Sequence, residues 1–157
     1  MATGTGALLG LLLAFLLGSS GTSAEARNSE RFAAAKCVLS GRWVSDQGSK
    51  MVISDSGNSG VFSGSYMTAM TTTDAVIRPS PLQGVQHPVA RRAQPTFGFT
   101  VNWSFTESTT VFVGQCFLDA DGVEHLKTTW LLREEVGSVA EDWAATRVGT
   151  DTFYRIK

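Results

Sequence analysis

The residues best suited to chemistry in this 157-residue chain lie in TFGFTVNWSFTESTTVFVGQCF, residues 96–117. Trp103, Phe105 and Phe112 supply flat apolar surface, and Thr106, Ser108, Thr109 and Thr110 set hydroxyls among them. A sheet that only filled a core would place hydrocarbon there. Aromatic walls with interspersed hydroxyls are instead suited to holding a small, partly polar molecule without burying a charge. Trp43, Trp130 and Trp143 bring the tryptophan count to 4, which adds weight to a ligand pocket.

Catalysis has no comparable signature. The chain holds no G-x-S-x-G motif, no Cys–His arrangement and no paired carboxylates. It is expected to be no enzyme, and to need neither a cofactor nor a metal. His87 and His125 stand alone, outside any metal-ligand spacing, and read as surface histidines. DADG, residues 119–122, has the start of a calcium loop but not its glutamate spacing, and reads as a hairpin turn. With 13 Lys+Arg against 14 Asp+Glu, the net charge of −1 offers no attraction for nucleic acid or an anionic membrane.

These residues must be positioned by strands. Charged residues make up only 17%, and Gly, at 16, far outnumbers Pro, at 4. Residues 1–24 read as a secretory signal peptide: a short apolar run, ALLGLLLAFLLG, followed by small residues ending at Ala24, with Ala35 as an alternative cleavage point. The protein is therefore expected to be secreted. Residues 25–35 form a polar tail and residues 36–157 the single folded domain. One cysteine pair in a secreted chain predicts a Cys37–Cys116 disulfide.

Eight short alternating runs follow: SGRWVS, KMVIS, VFSGSYMT, DAVIRP, PTFGFTVNWSF, TVFVGQCFLD, VEHLKTTWLLR and WAATRVGTDTFYRIK. SPLQGVQHPVARRAQ reads as a long loop after the fourth. The spacing predicts an all-β fold, an eight-stranded up-and-down antiparallel β-barrel whose closure removes exposed edges and whose mouth holds one small ligand.

The segments QPTFGFTVNWSFTESTTVFVGQCF, CVLSGRWVSDQGSKM, GSYMTAMTTTD, SPLQG, LKTTWLLR and EDWAATRVGTD closely resemble the avidin–streptavidin family, in order, across most of residues 36–155. The resemblance implies an eight-stranded barrel that binds one biotin per subunit and forms a homotetramer. Trp103, Trp130, Phe112 and Phe105, with Leu132, would enclose the bicyclic ring. Ser45, Ser49 and Tyr66 would donate to the ureido oxygen, and Thr68 and Asp151 would face its N–H groups. Thr110 would approach the sulfur. Thr71, Thr72, Thr73, Thr106 and Ser108 would meet the valerate carboxylate. Trp143 would reach into a neighbouring subunit's site. Ser45 stands where the family usually has Asn, and Asp151 where some members have Asn and others Asp. The one glycosylation sequon, Asn102-Trp103-Ser104, falls in a predicted strand.

Two other readings remain at this stage. A lipocalin-like carrier of an apolar molecule would want a less polar interior than Ser49, Tyr66, Thr68 and Asp151 provide. A structural secreted protein with a decayed pocket is favoured only by Ser45.

Overall fold

The computed structural model describes residues 36–54, 57–71, 74–87 and 94–157. The expected signal peptide and polar tail, and Thr72 and Thr73, lie outside the described residues.

Eight antiparallel strands close into a barrel in which each strand pairs with its neighbours in sequence. They are β1 (Gly41–Ser45), β2 (Lys50–Ile53), β3 (Val61–Met67), β4 (Ser80–Gln86), β5 (Thr96–Asn102), β6 (Ser108–Leu118), β7 (Glu124–Glu134) and β8 (Thr146–Arg155). β8 closes on β1 through Trp43↔Arg155, Val44↔Tyr154 and Ser45↔Phe153. A 3-10 helix, Val139–Ala144, precedes β8. The count and order match the sequence expectation.

The expected position of one strand is corrected by the structure. DAVIRP is not a strand, and β4 is SPLQGVQ, inside the expected loop. Proline misleads here twice. Pro79 stops the first run, whose Val76 is 73% exposed. Pro81 sits near the start of β4, paired with Ser65 of β3 before the β5 ladder begins at Leu82, so its missing N–H costs little there.

Strand periodicity sends alternate side chains inward. On β5 these are Phe97, Phe99 and Val101, and on β6 Thr110, Phe112 and Cys116, all buried. Phe99 stacks on Phe112 with centroids 4.6 Å apart. Burying each such ring stabilises the barrel by about 1.5–3 kcal/mol.

The end of the barrel that carries the β6–β7 turn is sealed. Cys37 and Cys116 form the expected disulfide, with Cα atoms 5.8 Å apart. The Trp43 indole donates to the Leu39 carbonyl at 2.8 Å, and the Arg155 guanidinium lies 4.3 Å over its ring. Arg155 also pairs with Glu124 and donates to the Ser40 carbonyl at 2.9 Å, tying the last strand to the chain before β1. DADG is the expected hairpin turn: Asp119 Oδ1 accepts from the N–H groups of Asp121 and Val123 at 2.9 and 2.8 Å, and Gly122 takes φ +77°. His125 is not isolated, since its Nε2 meets Asp119 Oδ2 at 2.9 Å.

Candidate ligand site

At the opposite end the barrel opens into a cavity of about 840 Å³. Its lining grades from buried hydroxyls and a carboxylate, through aromatic walls, to an exposed charged mouth.

Ser49, Tyr66 and Asp151 form the floor, exposed by 7%, 2% and 8%. Tyr66 projects inward from β3 and packs edge-on against Trp103, centroids 5.5 Å apart. Its hydroxyl is hydrogen-bonded to the Ser49 side chain, and burial pushes the phenol well above its ordinary range, so it remains a donor. Ser49 Oγ also accepts the Ala69 N–H at 3.0 Å.

Asp151 faces this pair from β8. Burial raises its carboxyl above the ordinary range, the Asp46 charge adds to the rise, and a hydrogen bond from Trp130 opposes both. Its Oδ1 is buried without a hydrogen-bond partner. A buried acceptor left bare costs about 1–3 kcal/mol, so this atom is disposed toward a donor that enters the cavity.

Trp103, Phe105, Phe112, Trp130 and Leu132 make the walls. The polar edge of each indole is occupied: Trp103 Nε1 donates to Thr110 Oγ1 at 2.8 Å, and Trp130 bonds to Asp151. That leaves apolar faces for a ligand. Trp130 lies opposite Gly149, where any side chain would strike the indole.

Thr68, Thr71, Thr106 and Ser108 also line the cavity. Thr68 Oγ1 donates to the Met70 carbonyl at 2.8 Å, and Thr106 and Ser108 hydroxyls lie 2.6 Å apart. Two expected residues are off the wall. Ser45 is buried, and its Oγ accepts the N–H groups of Gln47 and Ser49 at 3.3 and 3.1 Å. Both lone pairs hold the β1–β2 turn, so only its O–H is left to offer. Trp143, 87% exposed on the 3-10 helix, does not line its own chain's cavity.

Sequence reasoning missed Gln47, Met70 and the mouth residues Glu107, Glu134, Glu135 and Arg147. The signal available was the charged run REE, residues 133–135, closing the seventh apolar stretch, together with the glutamate in TEST, residues 106–109.

The closed barrel and its aromatic-walled, polar-floored cavity define a small-ligand-binding β-barrel. The comparisons with known proteins narrow that class. The chain belongs to the Avidin family, whose sequence profile matches residues 33–156. It is 50% identical to avidin from Gallus gallus over 150 residues, 96% of this chain and 92% of that protein. A solved biotin binding protein from chicken is 56% identical with a TM-score of 0.74, covering 77% of this chain and 99% of its own. Xenavidin is 45% identical with a TM-score of 0.73, over 77% and 99% of the two chains.

Proposed function

We propose that the protein is a non-catalytic biotin binder that sequesters the vitamin in this cavity. The observation that carries the reading is Asp151 Oδ1, a buried acceptor without a partner, across the floor from the Ser49 and Tyr66 hydroxyls. A urea group needs donors for its oxygen and acceptors for its N–H groups, side by side. The floor offers both, with Asp151 giving a charge-assisted bond. Trp103, Phe112 and Trp130, with Phe105 and Leu132, flank the bicyclic ring, and Thr110 faces its sulfur. Thr71, Thr106 and Ser108 meet the tail, as do Thr72 and Thr73 by sequence. Ser45 contributes its O–H and supports Ser49. Biotin titration followed by tryptophan fluorescence tests this: saturation at one biotin per chain is expected, and no change at micromolar biotin sinks it.

The protein acts as a secreted homotetramer in this reading. In-register outward residues Val111, Leu131 and Val148 are 45%, 41% and 65% exposed, an apolar row that a lone barrel would leave in water. Trp143, exposed on the 3-10 helix that precedes β8, would cap a neighbour's pocket. Sedimentation velocity at micromolar concentration tests the assembly, and a monomer overturns it. Recovery from culture medium, beginning at residue 25 or 36, tests secretion.

A further inference from the structure

We infer that the mouth of this pocket selects biotin joined through an amide to an amine-bearing tail over free biotin. The inference rests on the biotin reading and concerns the end of the ligand nearest solvent.

The described mouth residues carry three carboxylates against one guanidinium. Glu107 comes from the β5–β6 turn, Glu134 and Glu135 from the end of β7 and just beyond it, and Arg147 from β8. Arg147 Nη1 donates to Glu134 Oε1 at 2.5 Å, so its charge is already matched. Among the described residues, Glu107 and Glu135 have no ion-pair partner. The Glu135 N–H donates to the Glu107 carbonyl at 3.0 Å, which fixes the two acidic segments side by side. Arg133, exposed on β7, is paired with Asp142 and does not line the cavity. Deeper in, Asp151 adds a fourth acidic group, 8% exposed and with Oδ1 unpartnered.

Thr106 and Ser108, the hydroxyls placed for the ligand's tail, flank Glu107 in sequence. They can donate to a carboxylate or to an amide oxygen, so they do not by themselves discriminate. Charge does. A free carboxylate enters a mouth lined by two unmatched negative charges, a repulsion that salt screens. An amide removes that repulsion, and an ammonium beyond the amide turns it into attraction. Each exposed pair contributes little, but several of one sign add. The ligand class is thus a biotin amide of the biotinyl-lysine type.

The test compares free biotin, neutral biotinamide and cationic biotinyl-ethylenediamine, by competition against a fluorescent biotin. Salt of about 10 mM is set against about 500 mM, where the Debye length shrinks severalfold. At low salt the cationic amide should bind roughly 5- to 30-fold tighter than the acid, narrowing to about 2-fold at high salt. The double variant Glu134→Gln/Glu135→Gln removes two carboxylates and releases Arg147, and should close or invert the order at low salt. Free biotin binding as tightly as the amides at low salt overturns the inference. A preference that neither salt nor the variant alters overturns it too. If none of the three ligands binds, the biotin reading falls and takes this one with it.

Discussion

Gly149 and Trp130 face each other across the β7–β8 ladder, and the indole occupies the space where a side chain at 149 would stand. The glycine is what lets the ring lie against β8 and reach Asp151 with its N–H. Gly149→Ala should push the indole toward the cavity and strain that bond. Overpacking of this kind costs about 1–3 kcal/mol of stability. Biotin affinity should fall about 10-fold or more. Calorimetric titration checks this, with circular dichroism confirming that the barrel still forms.

Asp151 should make binding sensitive to acid. Its carboxyl titrates above the ordinary range because of burial and then Asp46. The folded empty barrel therefore holds this proton more tightly than the unfolded chain does. Its contribution to stability declines as pH rises from the ordinary carboxylate value through the raised one, and is level above it. Ligand N–H groups favour the charged form, so affinity should fall as pH drops through the raised value of the free protein. Asp151→Asn should remove that acid limb and weaken binding at neutral pH by roughly 5- to 30-fold, because the amide loses the charge and replaces one of the two acceptor oxygens with an NH2 donor. Dissociation constants measured from about pH 4 to 8 decide it. An acid limb that survives in the variant belongs to another group.

The disulfide and the cavity occupy opposite ends of the barrel. Replacing Cys37 and Cys116 together by serine should cost roughly 4–5 kcal/mol of stability by chain entropy. At a temperature where the variant is folded, biotin affinity should change by less than about 3-fold, since distant sites behave additively. Thermal unfolding with and without biotin measures both quantities. A large loss of affinity in the folded variant would mean that the two ends are coupled.

The barrel was legible in the sequence because seven of its strands fall on short apolar-rich runs bounded by turn residues. β4 was not, for a physical reason. Its inward residues are Ser80, Leu82 and Gly84; Ser80 bonds to the Ser104 N–H at 3.0 Å, and Gly84 makes room for Phe62 and Phe99. A strand whose core face offers one leucine between a serine and a glycine reads as a loop. The aromatic walls and the floor were legible through their types and their resemblance to a family. The acidic mouth was not. Glu107 and Glu135 lie in separate turns, and charges after a strand read as solvated until the pairing of β6 with β7, at Ser108↔Glu134, sets them side by side.

Ser45 gives the sharpest mutational test of the floor. Its Oγ accepts two N–H groups of the β1–β2 turn and so fixes Ser49, which lines the cavity. Ser45→Ala would leave both N–H groups without this acceptor, costing about 1–3 kcal/mol of stability if they stay buried, and would loosen Ser49. Ser45→Asn is different. An asparagine oxygen can accept the same turn N–H groups, since asparagine favours such turns. Its amide would then extend a donor further toward the ureido oxygen than the serine O–H reaches. One added neutral hydrogen bond contributes about 0.5–1.5 kcal/mol, so binding should tighten by roughly 2- to 12-fold. The gain should lie mainly in slower dissociation, as it does for most differences among closely related complexes. Ser45→Ala should weaken binding less than Asp151→Ala, because the alanine at 151 removes a direct, charge-assisted partner and leaves the Trp130 N–H unpaired as well. Dissociation rates of biotin from the wild type and these three variants order the effects. If Ser45→Asn dissociates as fast as the wild type or faster, the serine hydroxyl already satisfies the ureido oxygen and no donor is missing from the floor.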